Sequence, residues 1–226
     1  MNVLVVAAHP DDEVLGCGGT IARLAAEGHA VAIAILGEGS TSRAARRESA
    51  DPAPVAALAE ASRAAGKRLG ALDTFAFGLP DNRFDTVPLL DVVKLVEDLV
   101  TRVEPEVLYT HHGGDLNVDH AIAARACLTA TRPTGARVPR AVYAFEVPSS
   151  TEWSFAALAP AFRPSVFVDV TATLEAKLAA MACYADEMRP FPHPRSAEAL
   201  TAAARRWGSV AGLVAAEAFE LIREIR

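Results

Sequence analysis

Two short stretches hold most of the side chains able to do chemistry. The first is His9-Pro10-Asp11-Asp12-Glu13, and the second runs from His111 to His120 as HHGGDLNVDH. Between them they carry four of the six histidines in the chain. A hydrolytic zinc centre needs three N or O ligands and one open position, commonly two histidines and a carboxylate. His9, Asp12 and His120 could supply that set. The three-residue step from His9 to Asp12 lets a tight turn aim both side chains at one ion. Asp11, between them, is then free to act as general base, taking a proton from the water that attacks a carbonyl and returning it to the departing amine. Zinc is the expected cofactor. Another divalent metal such as Fe2+ is an alternative, because sites of two histidines and a carboxylate are shared by several metals. Glu13 falls where the first turn of a helix favours an acidic residue, and a second role against a ligand histidine is expected of it.

These residues need a scaffold that brings loops together. The run NVLVVAA over residues 2–8 reads as a strand buried on both faces, ended by His9-Pro10, since proline cannot donate to a ladder and keeps the residue before it extended. A helix is expected from about Thr20 to Glu27, closed by Gly28, then a strand over 29–36. Further helices are expected over 47–69, 87–103, 120–131, 174–188 and 197–223. Further strands are expected over 74–77, 106–110, 141–145 and 165–168. This alternation implies one α/β domain over residues 1–226, with a mainly parallel sheet covered by helices on both faces. Such sheets bind ligands beyond the carboxyl ends of their strands, which is where both clusters lie. Gly16-Cys17-Gly18-Gly19 is not the G-x-G-x-x-G of a dinucleotide site, and tight packing of a helix on the sheet accounts for it better. His29, at a loop-to-strand junction, reads as structural.

Composition narrows the function classes. With 226 residues, 51% hydrophobic and 22% charged, the chain can bury a sizeable core. The formal net charge of −6 offers no broad footprint for a polyanion, so nucleic acid is not an expected partner. Three scattered cysteines make neither a disulfide framework nor a thiolate metal site. No apolar run approaches the length of a membrane span. With Met1 leading straight into the first strand, a cytoplasmic location is expected.

The stretch AHPDDEVLGCGGTIARL, followed later by N-x-D-H, resembles the PIG-L (LmbE-like) family of zinc-dependent N-deacetylases. TSR, LPDNRFD, YTHHGGDLNVDH, FEVPSSTEW and EMRPFPHPRS extend the likeness to a bacterial subgroup over nearly the whole chain. The resemblance implies a Rossmann-like fold, zinc held by His9, Asp12 and His120, Asp11 as base, and Arg43 of TSR touching substrate. It implies hydrolysis of an N-acyl bond, expected to be N-acetyl, on a small amino-sugar-like molecule. It also raises homo-oligomers, trimers or hexamers, as an expectation. Many members carry H-P-D-H where this chain has Asn117-Val118-Asp119-His120. The part of the missing histidine is therefore open among Asn117, His111, His112 and His193, the last in a proline-stiffened loop that could cover the substrate. Asp119 is expected to orient a histidine.

Two rivals frame this reading. One is a thiol-conjugate amidase that cleaves a larger amide. The other is a non-catalytic nucleotide-binding protein in which HPDDE is only a turn, and it predicts no tightly bound metal.

Overall fold

The computed structural model describes residues 1–134, 138–158 and 160–226. Its centre is a sheet of seven strands: β1 (Asn2–Ala7), β2 (Ala30–Gly37), β3 (Asp73–Leu79), β4 (Val107–His111), β5 (Ala141–Phe145), β6 (Val166–Asp169) and β7 (Ala216–Glu224). Their order is β3-β2-β1-β4-β5-β7-β6. The first five run parallel, and β7 enters antiparallel between β5 and β6.

The apolar runs of β1 and β2 show no polar alternation because both faces are covered. Val3, Val5, Ala7, Val31, Ile33 and Ile35 face one core, shared with α1 (Asp12–Ala26), α2 (Pro52–Leu69), α5 (Leu174–Met181) and α6 (Ala197–Ala211). Leu4, Val6, Ala8, Ala32, Ala34 and Leu36 face the other, built with α3 (Leu89–Val103) and α4 (Val118–Ala130). The chain leaves β1 towards β2 on one side while β4 lies on the other. That arrangement opens a crevice at the carboxyl ends of β1 and β4, where a Rossmann-like sheet takes its ligand. The fold class expected from the sequence is the one observed.

Two elements depart from expectation. Helix α1 starts at Asp12 rather than near Thr20, and takes in the glycines. It breaks at Cys17, whose φ of −145° and ψ of 25° are non-helical. A Cβ on Gly16 would lie 2.2 Å from the Phe145 ring, and one on Gly19 would lie 2.8 Å from Val170, so these positions are small because the helix presses on its neighbours. The break exposes backbone groups that an intact helix would satisfy itself. The Glu217 carboxylate accepts from Gly19 N (2.9 Å) and Thr20 N (2.7 Å), while Lys177 Nζ donates to Leu15 O (2.8 Å) and to Glu217 (2.6 Å). A buried ion pair thus caps both halves.

The second departure is β7. The sequence reads as helix through residue 223, but α6 ends at Ala211, Gly212 takes a left-handed φ of 74°, and Ala216–Glu224 becomes a strand. AEAFELIRE is rich in helix formers, yet pairing on both edges with β5 and β6 outweighs that weak local preference. Smaller shifts occur elsewhere: α2 begins at Pro52, behind the Asp51 N-cap, and α5 stops at Met181.

Candidate active site

The turn after β1 and the start of α4 meet in the crevice. Asp12 opens α1, and its Oδ2 accepts from His9 N at 2.8 Å, which folds the HPDD turn back on itself. His120 sits in the first turn of α4, whose N-terminus is capped by the Asn117 side chain accepting from Asp119 N at 2.9 Å. Three atoms then converge. His9 Nδ1 lies 3.3 Å from Asp12 Oδ2, His120 Nε2 lies 3.2 Å from the same oxygen, and the two ring nitrogens are 3.3 Å apart. Ligands on a tetrahedral zinc with bonds of about 2.0–2.1 Å stand about 3.3–3.4 Å from one another, so this triangle has the size of one face of such a site.

The far side of each histidine also fits. His9 Nε2 is 2.9 Å from Asp119 Oδ2 and 3.4 Å from Asp81 Oδ1, and His120 Nδ1 is 3.1 Å from Asp115 Oδ1. A carboxylate behind a ligand imidazole fixes its orientation and strengthens it as a donor. Asp115 is itself held by the hydroxyls of Ser150 and Thr151 and by Asn117 N. Asp119 Oδ1 accepts from Phe84 N at 2.8 Å.

The carboxylates around the two histidines favour positive charge in this cluster. Burial works against charge on His9, but the hydrogen bonds to Asp119 and Asp12 prevail and raise its pKa to about 10. His120, also opposed by burial, is raised to about 9 by Asp12 and Asp115. Burial would raise Asp12, yet the histidines hold its carboxyl well below the usual range. Asp12 Oδ1, buried, has no hydrogen-bond partner among the described residues. A cluster that holds positive charge this firmly suits a divalent ion that displaces those protons. His111 stacks on His120 with ring centroids 4.1 Å apart and accepts from Ala8 N at 2.7 Å. Burial and the neighbouring His120 push its pKa down to about 3, so it stays neutral.

Above the triangle lies a cavity of about 230 Å³ lined by His9, Asp11, Arg43, Asn82, Asn117, His120, Ser149 and Arg195 among others. Four non-glycine residues on its wall have left-handed φ: Asp11 (99°), Ser40 (65°), Asn82 (54°) and Ser149 (71°). Such conformations cost free energy and gather where geometry serves a ligand. Burial, reinforced by Asp12, Glu13 and Glu187, raises the Asp11 pKa well above the usual value even though Arg195 donates to its Oδ2 at 2.6 Å.

The expected residues divide. His9, Asp11, Asp12, His120 and Asp119 come together, and Arg43 and Asn117 line the cavity. Glu13 makes no hydrogen bond to His9 or His120 among the described residues. Its carboxylate accepts from Asp11 N (3.2 Å) and from the Tyr184 hydroxyl (2.6 Å), bracing the strained residue instead. His112 is turned away, with Nδ1 2.6 Å from Glu220 and Nε2 2.8 Å from Pro160 O, leaving no ring nitrogen for a substrate. His193 lies in a neighbouring surface groove, edge-on to Trp153, with Nδ1 accepting from Arg195 N. Of the four candidates for the missing histidine's part, Asn117 alone reaches the cavity wall. Sequence reasoning missed Asp81, Asn82, Ser149, Glu187 and Arg195. LPDN and the run RPFPHPRS held a turn and a rigid loop, but no spacing signal joined them to HPDDE.

Residues 4–131, more than half of the chain, match the family model described as PIG-L, GlcNAc-PI de-N-acetylase. The chain belongs to the PIG-L family. It is 30% identical over 174 residues to the uncharacterized deacetylase YaiS of Escherichia coli strain K12, covering 75% of this chain and 82% of that one. It is 31% identical over 204 residues to 4-oxalmesaconate hydratase of Pseudomonas putida, covering 82% and 74%. Among solved structures, GalB, the 4-carboxy-2-hydroxymuconate hydratase from P. putida KT2440, superimposes with a TM-score of 0.79 at 28% identity over 98% of this chain and 96% of that one. This PIG-L domain thus stands near both a deacetylase and hydratases. No helix among the described residues is long and apolar enough to cross a membrane.

Proposed function

We propose that this protein is a zinc-dependent hydrolase that removes an N-acyl group, acetyl by preference, from a small amino-sugar-like substrate, giving a carboxylate and a free amine. The observation that carries the reading is the triangle of His9 Nδ1, Asp12 Oδ2 and His120 Nε2, with edges of 3.2–3.3 Å, at the floor of a polar cavity. Bound there, zinc would act as a Lewis acid towards the acyl carbonyl and make water a better nucleophile at neutral pH.

The chain's own residues supply the rest. Asp11, on the cavity wall, takes a proton from the attacking water as the new C–O bond forms. It returns that proton to nitrogen as the C–N bond breaks, so one water is consumed and no other reactant is needed. Burial raises its pKa above the ordinary carboxylate value, against the pull of Arg195, which makes it a stronger base than an exposed aspartate. Asp119 and Asp115 fix the two imidazoles, and Glu13 with Tyr184 fixes the backbone of Asp11. Asn117, whose Nδ2 donates to Asn82 Oδ1 at 3.0 Å, is the group best placed to meet substrate at the position for which the resemblance implies a histidine.

The likeness to hydratase activity from P. putida, at 31% identity in sequence and 28% in the superimposed structure, favours a second reading, in which the same base and metal add water across a carbon–carbon double bond. One experiment separates the two: acetate release from a panel of N-acetylated amino sugars by the zinc-supplemented protein, with Asp11→Asn as control. Acetate that appears with the parent protein and falls by about 10²–10⁴ in the variant supports deacetylation. A full panel without acetate, from protein carrying stoichiometric zinc, sinks it.

A further inference from the structure

Arg195 enters the cavity from the proline-rich loop after Met188, and none of the chemistry above uses its free edge. Its Nε donates to Ser149 Oγ at 2.9 Å, and its Nη1 donates to Asp11 Oδ2 at 2.6 Å and lies 3.6 Å from Glu187 Oε2. Both of its closest partners, Asp11 and Ser149, hold left-handed backbone conformations, so strain at two points is tolerated to hold one guanidinium. Arg43 Nη2 meets the same Glu187 at 2.7 Å from each oxygen. A single buried carboxylate therefore draws two like charges to one end of the cavity. Among the described residues nothing accepts from Arg195 Nη2, nor from Arg43 Nε or Nη1, and both side chains line the cavity.

We propose that these free guanidinium donors form an anion subsite, and that the substrate carries a carboxylate in addition to the bond that is cleaved. A planar guanidinium presents paired N–H groups that match the two oxygens of a carboxylate, and such charge-assisted, bidentate bonds are about twice as strong as hydrogen bonds between neutral groups. Glu187 is then a positioning residue that holds Arg43 and Arg195 within reach of the same group. The proposal rests on this cavity being the substrate site, and not on which bond is broken there.

Succinate and its neutral isostere succinamide test it by calorimetric titration of the zinc-supplemented protein. The expected result is succinate bound on the order of tenfold more tightly, with the preference falling to about threefold or less in Arg195→Gln and in Arg43→Gln. Arg43 is half-exposed on a short turn, so its variant tests the idea even if Arg195→Gln folds poorly. Equal or absent binding of the two probes by the parent protein overturns the subsite. So does a preference that survives in both variants, since the carboxylate would then be seated on the metal. Acetate release measured in parallel keeps the two ideas apart. A succinate preference without acetate from any N-acetylated sugar removes the deacetylase reading and leaves the subsite, and acetate without the preference does the reverse.

Discussion

Two buried charged clusters lie along the same helix, one at each end of its first half, and they are finished differently. Around Lys177 and Glu217 every charged atom is matched: the ammonium has Leu15 O and Glu217, and both carboxylate oxygens have backbone or ammonium partners. Around His9, Asp12 and His120 the matching stops short, with Asp12 Oδ1 and His111 Nδ1 buried and without a hydrogen-bond partner among the described residues, and with the triangle open to a cavity. A closed cluster settles the backbone, whereas an open one is completed by something that arrives. Burial and charge alone do not tell the two apart; unfinished hydrogen bonding does.

The largest effect expected from this contrast is on the open cluster. His120→Ala should abolish stoichiometric zinc, read by elemental analysis, and cut turnover on the order of a thousandfold or more. Zinc retained at full stoichiometry would mean that the triangle is not the metal site. Next comes the closed cluster, where Lys177→Met leaves the buried Glu217 charge with its two backbone donors but no counter-ion and should cost about 3–5 kcal/mol in denaturant unfolding. Adding Glu217→Gln to that variant should restore about half of the loss, because an absent pair is cheaper than half a pair. If Lys177→Met lost zinc with its stability unchanged, the two clusters would not be separable. Asp119→Asn should weaken zinc affinity about tenfold through a loosened His9 while leaving the fold melting near the parent temperature. The smallest effect belongs to His193→Ala, expected to change kcat/KM by no more than about twofold because the ring packs on Trp153 outside the cavity. A loss of a hundredfold there would bring the proline-rich loop's histidine back into the chemistry.

Some of this was legible in the residues. HPDDE at a strand end and N-x-D-H a hundred positions later pointed to the three converging side chains, because metal ligation restricts residue types so narrowly. Asp119, one residue before His120 in that motif, lies 2.9 Å from His9 Nε2. His112 looked equivalent to its neighbour His111, yet successive residues leaving a strand point to opposite sides, and only the folded sheet shows His112 captured by Glu220 and Pro160. Arg195 stood two residues from the histidine that drew attention, in a loop whose direction no local pattern encodes.

The sequence by itself determined the strands buried on both faces, the parallel α/β order and the residue types gathered at the ends of β1 and β4, since each is written in local composition and short spacing. Tertiary structure decided the rest. It made a strand of helix-prone AEAFELIRE by giving it two partners, ran α1 through its glycines by pressing it against Phe145 and Val170, and brought Glu187 and Arg195 to the mouth of the HPDD turn. Those outcomes depend on contacts between residues far apart in the chain, whose free energies exceed the weak local preferences that a sequence displays.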